Sequence, residues 1–135
     1  MLTEYERLFV GPGHLPCPPY ESVWRTDVAA YQRQSLMGPC VTDLYRLYAQ
    51  LGIDPSDAEL PDHVAVELEA LSYALSLPDG GGEPVAASLL TDHLGVWLPR
   101  WCQSVVEQSR LPFYAQLAQL TQNWLARMTQ DAPTG

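Results

Sequence analysis

The chain has 135 residues, 47% of them hydrophobic, and this length and composition suit one folded domain around a single core. Its 7 basic and 16 acidic residues give a formal charge of −9, which disfavours binding to nucleic acid or to an anionic membrane surface. The 3 cysteines are widely spaced and no apolar run reaches the ~18–20 residues of a membrane span, so we predict a cytoplasmic protein without disulfides or membrane insertion.

The chain is predicted to begin with a short helix over residues 3–10. Tyr5, Leu8 and Phe9 share one face there, and the glycines and proline of residues 11–13 end the helix. Acidic residues stand where a secretory signal peptide would carry its basic region, so no such signal is expected. A helix of this length has little stability of its own and therefore needs tertiary contacts.

Residues 11–24, GPGHLPCPPYESVW, are predicted to form an irregular loop because their prolines favour an extended path. The loop nevertheless carries large apolar side chains, among them Tyr20 and Trp24, which need cover. It either packs across the helices or lines a groove, and the two arrangements are compatible. Residues 27–37 fit either a short helix or a connector.

Two helices are predicted in the middle of the chain. Apolar side chains at helical spacing indicate the first over about residues 40–51. A loop over residues 53–60 leads to the central helix, residues 61–77. Pro61 is placed at its first position and Asp62 in its first turn, where a carboxylate suits the positive end of the helix dipole.

The central helix has two apolar stripes, whereas a surface helix usually has one. We therefore expect neighbours on both sides of it, with Glu67 and Glu69 in the seams between the stripes. The first stripe consists of Val64, Leu68, Leu71 and Leu75, and the second consists of Val66, Ala70, Tyr73 and Leu77.

Three further helices are predicted after a flexible surface link at residues 80–82. The first covers about residues 84–94, and Pro99 is expected to separate it from a second that contains Trp101. Pro112 opens the last helix, and a frayed tail follows it. The apolar residues of this helix recur at threes and fours: Phe113, Leu117, Leu120, Trp124 and Met128.

No segment alternates polar and apolar residues as a strand does. The prediction is therefore an all-α bundle of about five or six helices, in a single domain over residues 1–135.

Catalysis has little support in the residue pattern. Asp62 and His63 are adjacent, so on a helix their side chains point about 100° apart and cannot orient each other as a catalytic pair. Ser22 and Cys17 are candidate nucleophiles by residue type alone. A small helical hydrolase is retained only because these four residue types are present.

No metal or cofactor site is predicted. His14-x-x-Cys17 is a single close pair of ligand types on a proline-rich loop, which is a weak signal. His93 lies among leucines, where a hydrogen-bonded packing histidine is the commoner role.

Beside catalysis and metal binding, the third candidate function is a binding surface of aromatic residues, prolines and acids. Such a surface suits a peptide with an apolar stretch beside positive charge.

Four segments of the sequence resemble the TorD/DmsD chaperones. YERLFVGPGHLPCPPYESVW at residues 5–24 is similar to their W-x-R-L-F-x-G-P…P-P-W-x-S-V segment, and LPDHVAVELEAL at residues 60–71 is similar to their (E/P)-x-D-H-x-x-x-E-L segment. In the same order, DHLGVWLPRW at residues 92–101 resembles H-L-x-x-W, and LPFYAQLAQLTQNWL at residues 111–125 resembles P-F-Y-x-x-L.

The resemblance implies an all-helical cytosolic chaperone without catalytic activity. Such chaperones bind the twin-arginine signal peptide of an apo-form molybdenum-cofactor oxidoreductase and assist its maturation before export. Tyr5 and Tyr20 stand where tryptophan is usual in the DmsD branch, and Asp62 would be the partner of a signal arginine. Carried over residue by residue, the peptide-binding positions are Tyr5, Leu8, Pro19, Tyr20, Asp62 and His63.

Members of that family are longer, with several helices before the position of Tyr5, so this chain is expected to be the C-terminal two-thirds of the usual domain. Because two apolar stripes on the central helix would then need cover, we predict a homodimer, formed by pairing or by exchange of helices about a hinge at residues 53–60. The alternative function is a non-catalytic assembly subunit that keeps the bundle and has lost peptide binding.

Overall fold

Six α-helices and no strand are present in residues 2–25, 39–54 and 59–131, which are the residues described by a computed structural model of the protein. This confirms the predicted all-α bundle. A π-helical turn, Glu6–Val10, precedes the first helix, and a second π-helical turn, Leu89–Leu94, joins the fourth to the fifth. The helices are α1 (Glu21–Trp24), α2 (Pro39–Leu51), α3 (Val64–Ser76), α4 (Glu83–Ser88), α5 (Gly95–Gln108) and α6 (Pro112–Asp131).

The N-terminal segment has the predicted short helix and loop, with one correction. The helix ends at Gly11, whose φ of 98° favours a residue without a side chain. The prediction that residues 11–24 are irregular throughout is wrong, because Glu21–Trp24 form α1. The amide of Ser22 donates to Asp62 Oδ2 at 2.9 Å, so a distant carboxylate caps this one-turn helix.

Helix α3 begins later than predicted. Pro61 and Asp62 lie before the helix, and His63 is its N-cap, with Nδ1 accepting a hydrogen bond from the amide of Ala65 at 3.0 Å. The amide of Val64 instead donates to the carbonyl of Pro19 at 2.9 Å. Because Asp62 caps α1, it is not part of the first turn of α3, and the prediction based on the helix dipole is wrong.

One face of α3 is buried, not two. That face comprises Glu67, Ala70, Leu71 and Ala74. Tyr73 and Leu75 are 44% and 50% exposed, whereas other members of both stripes are partly buried against the core, namely Val64, Leu68, Val66 and Leu77. The two predicted stripes are therefore covered only in part. Glu67 is also not in a surface seam, since its side chain is fully buried and accepts a hydrogen bond from Trp97 Nε1 at 3.1 Å. Burial, with the nearby charge of Glu21, raises the pKa of Glu67 well above its usual range, which favours the neutral acid.

Helices α4 and α5 are continuous through the π-helical turn, so the predicted break at Pro99 is wrong. The side chains of Trp97, Leu98 and Cys102 are fully buried on one face of α5, and this packing outweighs the one hydrogen bond that a proline cannot donate. The predicted flexible link at residues 80–82 is also wrong at Gly82. That glycine is buried, and a Cβ there would lie 2.1 Å from the carbonyl oxygen of Ala74.

Helices α2 and α6 confirm the two remaining helix predictions. In α6 the buried residues are Ala118 and Leu125, whereas Phe113 and Leu120 of the predicted apolar series are 63% and 64% exposed. The prediction for residues 27–37 and most of the proposed hinge lie outside the described residues. The helices of residues 2–25, 39–54 and 59–131 include none that is long and apolar enough to span a membrane.

Candidate functional site

An apolar groove of about 520 Å³ opens between the N-terminal segment and the helices. Its walls come from the first π-helical turn, Glu6–Val10, from the proline-rich loop of residues 11–20, from the start of α3, and from helices α5 and α6. The lining residues are Tyr5, Phe9, Val10, Leu15, Pro19, Tyr20, Glu59, His63, Val64, Leu68, Trp101, Val105, Tyr114, Leu117, Ala118 and Thr121.

Aromatic side chains form one side of the apolar groove. The ring of Phe9 lies 5.6 Å from that of Trp101 and 6.0 Å from that of Tyr114, centroid to centroid. The ring of Tyr5 packs against Phe9 at 5.5 Å and is 52% exposed at the groove edge. These contacts bring together three separate elements, and they provide a broad apolar surface for a ligand.

A polar cluster of Tyr20, Glu59 and His63 also lines the apolar groove. Tyr20 donates its hydroxyl proton to Glu59 Oε1 at 2.8 Å, and the second carboxylate oxygen of Glu59 lies 3.8 Å from His63 Nε2. The rings of Tyr20 and His63 pack edge to face at 5.1 Å. The side chain of Glu59 is 38% exposed, so this carboxylate is accessible to a ligand in the groove.

The protonation states of the polar cluster follow from burial and hydrogen bonds. Burial lowers the pKa of His63, although the charges of Glu59 and Asp62 oppose this shift. Its Nδ1 accepts from the amide of Ala65, so in the neutral form Nε2 carries the proton and points to Glu59. Burial and the bond to Glu59 raise the pKa of Tyr20 to about 12, so its phenol remains a donor at neutral pH.

Four of the six residues predicted to bind a peptide line the apolar groove: Tyr5, Pro19, Tyr20 and His63. The other two, Leu8 and Asp62, are fully buried and lie outside its lining. Leu8 belongs to the hydrophobic core. The expectation that Asp62 meets a ligand arginine directly is therefore not supported by its position in this structure.

Asp62 joins the proline-rich loop to the start of α3. Its Oδ2 accepts hydrogen bonds from the amide of Ser22 at 2.9 Å and from the hydroxyl of Ser22 at 2.6 Å. Its carbonyl accepts from the amide of Glu21 at 3.0 Å. These three bonds hold α1 against the segment that begins α3, and so fix the position of Tyr20 on the groove wall.

The residue pattern gave no direct indication of several groove residues. Glu59 lies in the predicted loop before the central helix, where no periodicity indicates which way its side chain points. Trp101 is predicted to lie in a helix and Tyr114 belongs to the segment that resembles P-F-Y-x-x-L, but the sequence contains no signal that places either beside Phe9. That contact depends on how α5 and α6 pack, which periodicity alone does not determine.

The candidate nucleophiles are not exposed in this structure. Ser22 is 3% exposed and donates to Asp62, and Cys17 is fully buried. Burial also raises the pKa of the Cys17 thiol, which disfavours the reactive thiolate. Across residues 2–25, 39–54 and 59–131, no group of three or more His, Cys, Asp or Glu side chains is arranged to hold a metal ion.

Comparison with known proteins gives a consistent set of relatives. Residues 1–103 match the family model described as nitrate reductase delta subunit. The chain is 32% identical over 126 residues to the Tat proofreading chaperone DmsD of Salmonella typhi, covering 91% of this chain and 57% of that protein. It is 28% identical over 129 residues to the chaperone protein TorD of Shewanella loihica, covering 93% and 59%. The chain therefore spans less than two thirds of the length of these curated relatives.

Replacing Asp62 by alanine should destabilise the fold. Asp62→Ala removes two hydrogen bonds and leaves the buried amide of Ser22 without its acceptor, which should lower the free energy of unfolding by about 2–3 kcal/mol. Asp54→Ala, at an exposed aspartate, is the control and should change it by less than about 0.5 kcal/mol. Urea denaturation followed by circular dichroism measures both. Equal midpoints for Asp62→Ala and wild type would contradict the structural role of Asp62.

Proposed function

The chain belongs to the nitrate reductase delta subunit family and is similar to the chaperones DmsD and TorD, and on this basis we propose that it is a maturation chaperone that binds a twin-arginine signal peptide. The client is the apo-form of a molybdenum-cofactor oxidoreductase, and the interaction takes place in the cytoplasm before export. The observation that carries this proposal is the apolar groove, whose lining includes an accessible carboxylate.

The groove has the two features that such a peptide requires. Phe9, Trp101 and Tyr114 offer apolar contacts to the hydrophobic stretch of a signal peptide. Glu59 lines the same groove, where an arginine guanidinium can form a charge-assisted hydrogen bond with its carboxylate. The peptide is therefore oriented with its arginines near Tyr20 and His63 and its apolar stretch between α5 and α6.

The net charge favours the same ligand. A formal charge of −9 attracts a peptide whose charged end is basic, and it increases the rate of encounter at low salt. Most of the affinity comes from the apolar contacts, and the carboxylate of Glu59 adds one charge-assisted hydrogen bond to them.

This function requires no catalytic chemistry from the chain. Ser22 and Cys17 are buried, and both are engaged in the packing of the proline-rich loop. The alternative function is a non-catalytic assembly subunit that keeps the bundle and has lost peptide binding. Titration with a twin-arginine peptide separates the two, because only the chaperone binds it.

The Glu59 carboxylate should contribute to peptide affinity. Glu59→Gln removes the charge but keeps an acceptor for Tyr20, so affinity for a synthetic twin-arginine peptide should fall about tenfold, as expected for the loss of one charge-assisted bond. Isothermal titration calorimetry measures this change. Glu69→Gln is the matched control, because Glu69 is exposed on α3 and does not line the groove.

A peptide with glutamine in place of its arginines completes a double-mutant cycle. Glu59→Gln should lose little affinity for that peptide, because the arginine it would contact is already absent. If Glu59→Gln and Glu69→Gln bind the arginine peptide as tightly as wild type, Glu59 is not the arginine partner. If the wild-type protein does not bind the arginine peptide at all, the assembly subunit is the better account.

A homodimer is the second part of the proposal, and the outer face of α6 is the surface we assign to it. Phe113, Leu120 and Trp124 are 63%, 64% and 36% exposed. With Leu117, which also lines the apolar groove, they follow the alternating spacing of four and three that a partner helix packs against. No charged residue occurs in residues 112–126. Two copies with a charge of −9 can therefore approach along α6 without direct repulsion between like charges.

Disrupting this face should abolish the dimer. Leu120→Glu places like charges in the centre of the α6 pair, so light scattering at micromolar concentration should give the 15.0 kDa mass of the single chain for the variant and twice that for wild type. Gln119→Glu is the control, because Gln119 is exposed on a different face of α6. A wild type that remains a monomer at these concentrations would rule out the homodimer.

A further inference from the structure

The imidazole of His93 is buried between carboxylates from two different helices. His93 is 1% exposed and belongs to the π-helical turn between α4 and α5. Its Nδ1 lies 2.9 Å from both carboxylate oxygens of Glu21, the first residue of α1. Its Nε2 lies 2.6 Å from Oδ2 of Asp43 on α2. One ring thus connects three elements.

This geometry requires a proton on each ring nitrogen. Ionised carboxylates accept hydrogen bonds and cannot donate them, so both Nδ1 and Nε2 of His93 must be donors. The ring is then an imidazolium. Burial alone would lower the pKa of His93, but the bonds and charges of Glu21 and Asp43 outweigh burial and raise it.

Each packed element contributes charged groups near His93. Glu21 of α1 forms an ion pair with Arg25, the residue after that helix. Asp43 of α2 forms an ion pair with Arg46 of the same helix. Glu67 of α3 lies beside Glu21 and is neutral for the reason given above. Among the described residues, Asp62, which bonds to Ser22, and Asp92, next to the ring in sequence, contribute further carboxyl groups.

Glu21 links this cluster to the apolar groove. It directly follows Pro19 and Tyr20, which we call the loop wall of the groove. On one side the loop wall is held by the bond between the amide of Val64 and the carbonyl of Pro19, at 2.9 Å. On the other side the side chain of Glu21 is held by His93. The bonds of Asp62 to Glu21 and Ser22 and the pairing of Glu21 with Arg25 also act on this segment. Loss of the imidazolium removes one of the two ring protons and so weakens one of several attachments of the loop wall.

We propose that protonated His93 is a positioning residue for the loop wall, so that peptide affinity decreases when rising pH removes its proton. This inference rests on the proposed function. A group whose pKa is raised by folding stabilises the native arrangement below its unfolded pKa and loses that contribution as pH rises through its folded pKa. The effect therefore lies on the alkaline side of the ordinary histidine pKa of about 6.5.

Other groups near the groove titrate outside this range. The pKa of Tyr20 is raised to about 12, and burial raises the pKa values of the thiols of Cys17 and Cys40. His63 has a lowered pKa, so its protonation affects binding only on the acid side of neutrality. The comparison of wild type with His93→Gln assigns a loss of affinity between about pH 7 and about pH 9 to His93, because α-amino groups titrate in the same range and are unchanged in the variant.

Two measurements test this positioning role. NMR titration of the histidine ring protons in the free protein should give His93 a pKa above its ordinary range. Calorimetric titration with the twin-arginine peptide should show affinity falling roughly five- to tenfold from about pH 7 to about pH 9, the size of a typical coupling between sites. His93→Gln should bind more weakly than wild type at pH 7 and show no further loss at pH 9.

Two variants provide the controls. His14→Gln, at an exposed histidine, should retain the pH dependence of wild type. Asp43→Asn removes one carboxylate at a partly exposed position and should move the loss of affinity to lower pH, which keeps the test available if His93→Gln does not fold.

The outcomes separate this inference from the proposed function. Peptide binding that is equally strong at pH 7 and pH 9, a His93 pKa at or below the ordinary value, or a His93→Gln variant with the pH dependence of wild type would each overturn the role of His93. An absence of peptide binding at every pH would instead overturn the proposed function.

Discussion

The hydrogen bonds between Asp62 and Ser22 determine where the proline-rich loop lies on the bundle. A one-turn helix has almost no stability of its own, and α1 is held because a carboxylate from the start of α3 accepts from its amide and hydroxyl groups. Asp62 is fully buried and therefore outside the apolar groove. Together with the bond between Val64 and Pro19, this contact places Tyr20 beside His63 and Glu59 on the groove wall.

Buried polar groups connect this contact to the rest of the bundle. Glu21 bonds to His93, and Glu67 accepts from Trp97 in the core of α5. A buried carboxylate without partners would be strongly destabilising, so these acids are compatible with the core only because each is paired or neutral. The same arrangement places the loop, α3 and α5 at fixed positions around one groove.

The all-α class and most helices could be predicted from apolar periodicity, as for α2 and α6. The start of α3 could not be predicted from the sequence, because Asp62 suits a first helical turn. Only its tertiary contact with Ser22 places it before the helix. Pro99 was misleading for a similar reason: local propensity favours a break, and burial of Trp97 outweighs it. Four groove residues followed from the family resemblance, whereas Glu59 and Trp101 required the packing of helices far apart in sequence.

Photo-crosslinking tests the central claim that the apolar groove holds the hydrophobic stretch of a twin-arginine signal peptide. A synthetic peptide with a photoreactive phenylalanine in that stretch would be irradiated with the protein, and the modified residues identified by mass spectrometry. The account predicts adducts at Phe9, Trp101 and Tyr114, which line one side of the groove. Adducts confined to α2 or to the outer face of α6, or none above the level of a scrambled peptide, would contradict it.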